Sequence, residues 1–276
     1  MSTRLAEIVS TTRRSVAERK ARVSRTELEC AAQAHRPRGF AAALRRRAMS
    51  SPAIIAELKK ASPSRGLIRA DFDPASLAAA LAGAGAAALS VLTDEPFFQG
   101  SLRNLELASQ ACTLPCLRKD FMVDEFQMLE ARAHRADAIL LIAAALSDRE
   151  LSSLAAAAHA LELDVLCEVH TSEELDRVLK LDLCCDAVGV NNRDLKTFDV
   201  RLDISLELAS RLPPSAVHVA ESGIHSAADI ARLRAAGFHA FLIGESLMRQ
   251  PDPAAAIAGL LSPEGQELRG ALASKE

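Results

Sequence analysis

Short, almost continuously apolar runs recur along this chain, separated by longer Ala/Leu-rich stretches with helical spacing. The runs are Ala53–Leu58, Ala88–Leu92, Pro115–Lys119, Asp137–Ile142, Asp164–Val169, Asp186–Asn191, Val217–Glu221 and Ala240–Gly244. Each is too short for a helix and lacks the alternation of a strand with one wet face, so each reads as a buried parallel strand. Helices are predicted near 74–83, 102–111, 124–134, 147–161, 172–180, 201–211, 226–236 and 253–261. Start signals stand before several of them: Asp73-Pro74, Ser147 ahead of Asp148 and Glu150, Thr171 ahead of Glu174, and Ser226 ahead of Asp229. A short oxygen-bearing side chain there accepts from the unpaired N–H groups of the first turn.

Strict alternation of strand and helix implies a parallel sheet covered by helices. An open doubly wound sheet would favour a Gly-rich turn after the first strand, and here that turn is KKASPSRG. Eight units between residues 53 and 261 favour closure. The expected fold is therefore α/β, a single (β/α)8 TIM barrel with an N-terminal helical extension. Residues 1–50 form that extension on this reading, 51–265 the catalytic barrel and 266–276 a C-terminal tail. Within the extension, two amphipathic stretches, Leu5–Lys20 and Arg25–Ala34, are predicted to pack as helices against the barrel.

The charge distribution adds one asymmetry. The 276 residues carry a net −3, which implies no pull toward nucleic acid, yet residues 1–50 hold twelve Lys and Arg against four Glu. That segment is +8 and the rest −11. It reads either as a solvated basic surface or as a face turned to an anionic substrate or an acidic part of the barrel. Six cysteines lack the paired spacing of a metal site and suit reduced thiols in a cytoplasmic protein. No run is long and apolar enough to span a membrane, and the start lacks the apolar core of a signal peptide.

Polar groups at the carboxyl ends of barrel strands converge on one mouth. Glu57 and Lys59 close the first strand and, two apart, share a face. Lys119 ends the third, Glu168 the fifth, Asn191 the sixth and Glu221 the seventh. Any one of these reads well as a structural ion pair; together they read as a catalytic mouth. Ser222-Gly223 and Gly244-Glu245-Ser246 follow strands seven and eight, where barrels often hold a phosphate. Ser62 to Gly66 reads as a flexible loop able to reach the same anion. Phe97, Phe98 and Phe121 sit just past strand ends and suit either core or an aromatic ligand. His170 and His225 stand near the mouth with no role assigned.

IIAELKKASPSRG, LTDEPFFQGS, PCLRKDFMVDEFQ, DAILLI, EVHTSEEL, VGVNNRDLKTF, VAESGI and FLIGESLM resemble, in order, the strand-end motifs of indole-3-glycerol phosphate synthases. The opening LAEIVSTTRRSVAERK is similar to that family's N-terminal helix, so the resemblance spans residues 3 to 262. It implies a lyase of tryptophan biosynthesis that needs no metal or organic cofactor. The implied substrate is 1-(2-carboxyphenylamino)-1-deoxyribulose 5-phosphate. Its ring closes with loss of carbon dioxide and then of water. By resemblance Lys119 is the general acid and Glu168 the general base. Glu57 tunes Lys119 or shares in proton transfer, and Lys59 contacts substrate anions and takes part in dehydration. Asn191 and Glu221 orient hydroxyls and lysines, supported by Arg193 and Ser222. Gly223, Gly244 and the Glu245 N–H cradle the phosphate with Ser62, and Phe98 and Phe121 line the anthranilate pocket. Two departures stand out: Glu245 where some relatives have Ser, and Arg135 in place of a turn Gly. The alternatives are another phosphosugar barrel, similar to phosphoribosylanthranilate isomerase, or a barrel that binds without catalysing. The implied partner is a small phosphorylated molecule, and the implied state a monomer.

Overall fold

The computed structural model describes residues 3–194, 197 and 199–262. Eight strands form one closed parallel barrel. They are β1 (Ala53–Leu58), β2 (Ala88–Leu92), β3 (Cys116–Lys119), β4 (Ala138–Ile142), β5 (Asp164–Val169), β6 (Ala187–Asn191), β7 (Val217–Glu221) and β8 (Ala240–Ile243). Neighbours in sequence are neighbours in space, and β1 closes the ring against β8, with Ala53 opposite Ala240. This is the (β/α)8 fold that the alternation predicts. Four strand ends differ from the predicted bounds by one residue. Pro115 lacks the N–H a ladder needs, Asp137 and Asp186 stand just ahead of their strands, and Gly244 already caps the next helical turn.

The covering helices are α4 (Pro74–Gly83), α5 (Leu102–Ala111), α6 (Phe126–Ala133), α7 (Asp148–Ala160), α8 (Ser172–Lys180), α9 (Asp203–Leu208), α10 (Ala227–Ala235) and α11 (Pro253–Leu261). They follow α1 (Thr3–Arg22), α2 (Arg25–Gln33) and α3 (Phe40–Ala48) of the N-terminal segment. The start signals act as expected. Asp73 accepts from Ala75 N–H, Thr171 from Glu174 N–H, and Ser147 and Ser226 each complete a reciprocal capping box with the acid three residues on. The predicted helix near 201–211 is shorter, ending at Leu208 and continuing as a 3-10 turn. The stretch from Ser62 to Gly66, predicted as a loop, is a tight hairpin between Ala61–Ser62 and Gly66–Leu67. The 266–276 tail and residues 263–265 lie outside the described residues.

Helix α3 is not among the elements that the pattern predicts. Its apolar part is five consecutive residues with no helical period, and the rest is an Arg run. The helix exists because Phe40, Ala41, Ala43 and Leu44 bury against the barrel. Its three arginines fall in the last turn, where the carbonyl end of the helix dipole favours cations.

The basic charge of the N-terminal segment meets barrel carboxylates. Arg13 reaches Glu150 at 2.7 Å, Arg19 reaches Glu130 at 2.8 Å and Lys20 reaches Asp124 at 3.0 Å. Behind Glu130, Arg118 is fully buried and bonds Glu130 and Asp120, both at 2.9 Å. Deeper still, Asp137 is completely buried and holds Arg38 at 2.6 Å, His35 at 3.2 Å and the Cys116 N–H at 2.6 Å. Burial opposes the Asp137 charge, but His35 and Arg38 outweigh it and hold the carboxyl below its ordinary range. A depressed carboxyl contributes stability above its unfolded pKa and loses it as pH falls through the folded one. Asp137→Ala leaves Arg38 and a strand N–H without their acceptor. The expected cost is about 3–5 kcal/mol, read as a Tm lowered by roughly 10 °C in thermal unfolding. A Tm within a degree or two of wild type would deny this junction its structural weight.

Arg135 has φ +71°, directly after α6. That left-handed turn explains why a glycine suits the position, and it lies at the amino ends of the strands, away from the mouth.

Candidate active site

One cavity of about 510 Å3 opens at the carboxyl ends of the strands. Every residue given a catalytic or binding role from the sequence lines it: Glu57, Lys59, Lys119, Glu168, Asn191, Glu221, Ser222, Ser62, Phe98, Phe121, Arg193, Gly223, Gly244 and Glu245; Phe97 does not. His225 lines it as well, whereas His170 stands behind Glu168 and does not.

Its floor is a compact charge cluster. Lys119 Nζ donates to Glu168 Oε2 at 2.9 Å and lies 3.5 Å from Glu221 Oε2. Lys59 pairs with Glu57, as two positions on one face of a strand end allow. Burial opposes the Lys119 charge, but Glu168, Glu221 and Glu57 together outweigh it and hold its pKa above the ordinary lysine value. Burial likewise opposes the Glu168 charge; Lys119 and His170 override it and keep that carboxyl well below its usual range. Glu221 goes the other way. Burial, then the neighbouring Glu168 charge, push it up to about 8 against the pull of Lys119. At neutral pH the floor thus holds an ammonium, an ionised carboxylate and a largely protonated carboxyl within a few ångströms.

Two glycines make this crowding feasible. A Cβ on Gly189 would collide with Glu221 Oε1, and one on Gly244 with Glu57 Oε1. Gly189 is a site residue absent from the sequence-based expectation. It does carry a signal, since a glycine inside the strand VGVN marks a close approach.

One wall is aromatic. The rings of Phe98 and Phe121 are tilted by 39° with centroids 6.4 Å apart. Phe98 rides on a four-residue helical turn, Glu95–Phe98, whose cap is Asp94, accepting from Phe97 N–H at 2.8 Å. Asp94 is buried on the cavity wall, and burial pushes its pKa up to about 6. Asp120 plays the matching part for Phe121, accepting its N–H at 2.9 Å while also holding Arg118. Neither aspartate is among the residues that the sequence singles out.

The opposite wall is cationic. Arg65 and Arg249 each lie 3.2 Å from Glu245 Oε1, and Arg193 lies 3.7 Å from Oε2. A carboxylate at the expected phosphate position would repel the ligand; here its charge is turned toward three guanidiniums. Ser222 and Gly223 both have positive φ, +65° and +77°. Buried Asn192 donates to the carbonyls of Glu221 and Ser222 at 3.0 and 3.2 Å and so braces that turn. The rim is completed by Arg4, Leu5 and Ile8 of α1. Part of the basic N-terminal segment therefore faces the mouth and part faces acidic barrel surface.

Lysines and carboxylates gathered at the carboxyl end of a closed eight-stranded parallel barrel, between an aromatic and a cationic wall, define a (β/α)8-barrel enzyme. Solved structures agree on the fold alone. A 3-hexulose-6-phosphate synthase is similar with TM-score 0.57 at 18% identity, over 75% of this chain and 97% of that one. A mandelate oxidase variant is similar with TM-score 0.58 at 16% identity, over 80% and 74%. Sequence relatives are far closer. Residues 5–260 match the family described as indole-3-glycerol phosphate synthase, and the chain belongs to that family. The indole-3-glycerol phosphate synthase of Koribacter versatilis (strain Ellin345) is 58% identical over 261 residues, covering 95% of this chain and all of the relative. That of Acidithiobacillus ferrooxidans (strain ATCC 53993 / BNL-5-31) is 50% identical over 258 residues, covering 93% and 97%. The family is one of carboxy-lyases in tryptophan biosynthesis.

Proposed function

We propose that this chain closes the indole ring of 1-(2-carboxyphenylamino)-1-deoxyribulose 5-phosphate by acid–base catalysis centred on Lys119 and Glu168. The observation that carries the reading is the 2.9 Å Lys119–Glu168 pair on the floor of a cavity with one aromatic and one cationic wall. The substrate has the matching ends, an anthranilate ring and a phosphate.

The aryl carbon bearing the carboxylate attacks the ribulose carbonyl, forming the carbon–carbon bond. Lys119 donates its proton to the carbonyl oxygen, which becomes a hydroxyl. Carbon dioxide then leaves with the pair of electrons released to the ring. The hydroxyl departs as water, taking a proton from Lys59, whose charge is held in place by Glu57. Glu168 removes the proton whose loss makes the five-membered ring aromatic. Asn191 and Glu221 orient the substrate hydroxyls and Lys119, with Arg193 and Ser222 in support. Ser62, Gly223, Gly244 and the Glu245 N–H hold the phosphate, and Phe98 and Phe121 hold the aromatic ring.

The enzyme so described is monomeric and cytoplasmic and uses neither a metal nor an organic cofactor. Residues 1–50 serve as its extension, 51–265 as its catalytic barrel and 266–276 as its tail. Turnover of the substrate, followed as indole fluorescence, tests the proposed activity.

The charge state of Glu221 gives a separate test. Below about pH 8 it holds a proton; above, it becomes a second carboxylate beside Lys119, stabilises the ammonium and weakens it as an acid. The kcat/KM profile is expected to fall above about pH 8, and Glu221→Gln, neutral at every pH, is expected to remove that limb. The sign for stability is the same. A carboxyl raised in the folded state favours folding below its unfolded pKa, and that contribution is lost as pH rises toward 8. An unmoved basic limb in folded Glu221→Gln would assign it to another group.

A further inference from the structure

Glu168 is gripped from two sides. Lys119 holds Oε2 from within the cavity, and His170 Nε2 stands 3.3 Å from Oε1 on the far side. His170 is buried, and its other nitrogen, Nδ1, lies 3.2 Å from Glu174 Oε2, the third residue of α8. The same Glu174 oxygen also accepts the His170 backbone N–H at 2.7 Å. Strand β5 and the start of α8 therefore build a chain, Glu174 to His170 to Glu168, that ends on a residue of the catalytic floor. Among the described residues His170 Nε2 has no aligned hydrogen-bond acceptor: its approach to Glu168 is an ion pair at close range, off the line of a hydrogen bond. A buried polar nitrogen in that position interacts with Glu168 by charge.

We propose that His170 is a positioning residue, which orients the Glu168 carboxylate and sets the pH at which it can act as a base. The proposal rests on Glu168 being that base. The groups facing His170 are Glu168 on β5, two residues before it, and Glu174 on α8; Lys119 from β3 and Glu221 from β7 complete the cluster around Glu168. Burial alone would strip His170 of its proton, but the two carboxylates raise its pKa to about 10, so it is an imidazolium through the working range. A fixed cation behind Glu168 keeps the carboxylate ionised into acid, and it does so without entering the cavity.

The test is the acid limb of kcat/KM in wild type, His170→Gln and Glu174→Gln, with Glu168→Gln as reference. Gln at 170 keeps a polar side chain and loses the charge, so Glu168 protonates at higher pH. The acid limb is expected to rise by about one pH unit, an extra loss of about tenfold at the pH where wild type still works, with KM little changed. Glu174→Gln leaves Glu168 untouched and loosens His170, and it is expected to lower kcat severalfold, again without a change in KM. A purely structural role would lower Tm and leave the limb where it was. The proposal is overturned if His170→Gln folds and its acid limb does not move. Should that variant not fold, a folded Glu174→Gln with wild-type kcat overturns it instead. Collapse of Glu168→Gln alongside either result keeps the base assignment, whereas an active Glu168→Gln removes the base assignment itself.

Discussion

Lys119→Ala is expected to lower kcat by about three to four orders of magnitude, near the top of the range for a positioned general acid. The ammonium is held by Glu168 at 2.9 Å and Glu221 at 3.5 Å, and among the described residues no other cation on the floor has its geometry. Lys59, paired with Glu57 on β1, lies at the neighbouring side of the mouth. KM is expected to change much less, because the phosphate and the aromatic ring are held by the two walls. Lys119→Arg should not rescue: a planar guanidinium gives up its proton far less readily and cannot occupy a point-charge site. The deletion also leaves Glu168 and Glu221 as two buried carboxyls with no cation between them. They are expected to share a proton, so the variant should titrate near neutrality and lose stability as pH rises. Steady-state kinetics with a melting curve at two pH values separates the effects. If kcat survives, the principal acid is Lys59 and not Lys119.

Glu168→Gln is expected to cost about two to four orders of magnitude in kcat, with the shape of the site kept. Gln retains an oxygen for Lys119 and loses the ability to accept a proton. It also removes the first counter-charge of Lys119, whose pKa should fall. The Glu168 charge also helps to hold Glu221 up, so the basic fall of any residual activity should begin at lower pH than in wild type. Glu57→Gln is the control: Glu57 pairs with Lys59 and touches Lys119 only by longer-range charge. A larger loss in Glu57→Gln than in Glu168→Gln would exchange their roles.

The barrel was readable because burial on both faces forces nearly unbroken apolar strands, and the capping residues mark where each helix starts. The candidate site was readable for the same reason inverted. Glu57, Lys119, Glu168 and Glu221 break apolar runs at one end only, and such charges need a partner or a task. Other features have no such mark. Asp94 accepts from the Phe97 N–H and so places Phe98, Asp120 accepts from the Phe121 N–H, and an acidic residue near a turn looks like any cap. Asn192 stands beside Asn191 in sequence, yet only the fold sends one to the cavity and the other to the core. Leu5 and Ile8 were legible as an amphipathic helix, but which surface that helix covers depends on contacts more than a hundred residues away. The direction of the Glu245 side chain follows from Arg65 and Arg193, which lie on two other segments, and from Arg249, one turn further on.

The most direct measurement is turnover of 1-(2-carboxyphenylamino)-1-deoxyribulose 5-phosphate by the purified chain, followed by the rise of indole fluorescence. The chain contains no Trp and no Tyr, so its own emission is low. Robust turnover by wild type and near-complete loss in folded Lys119→Ala are the predicted results. No turnover by folded wild-type protein would contradict an indole-forming barrel built on Lys119 and Glu168.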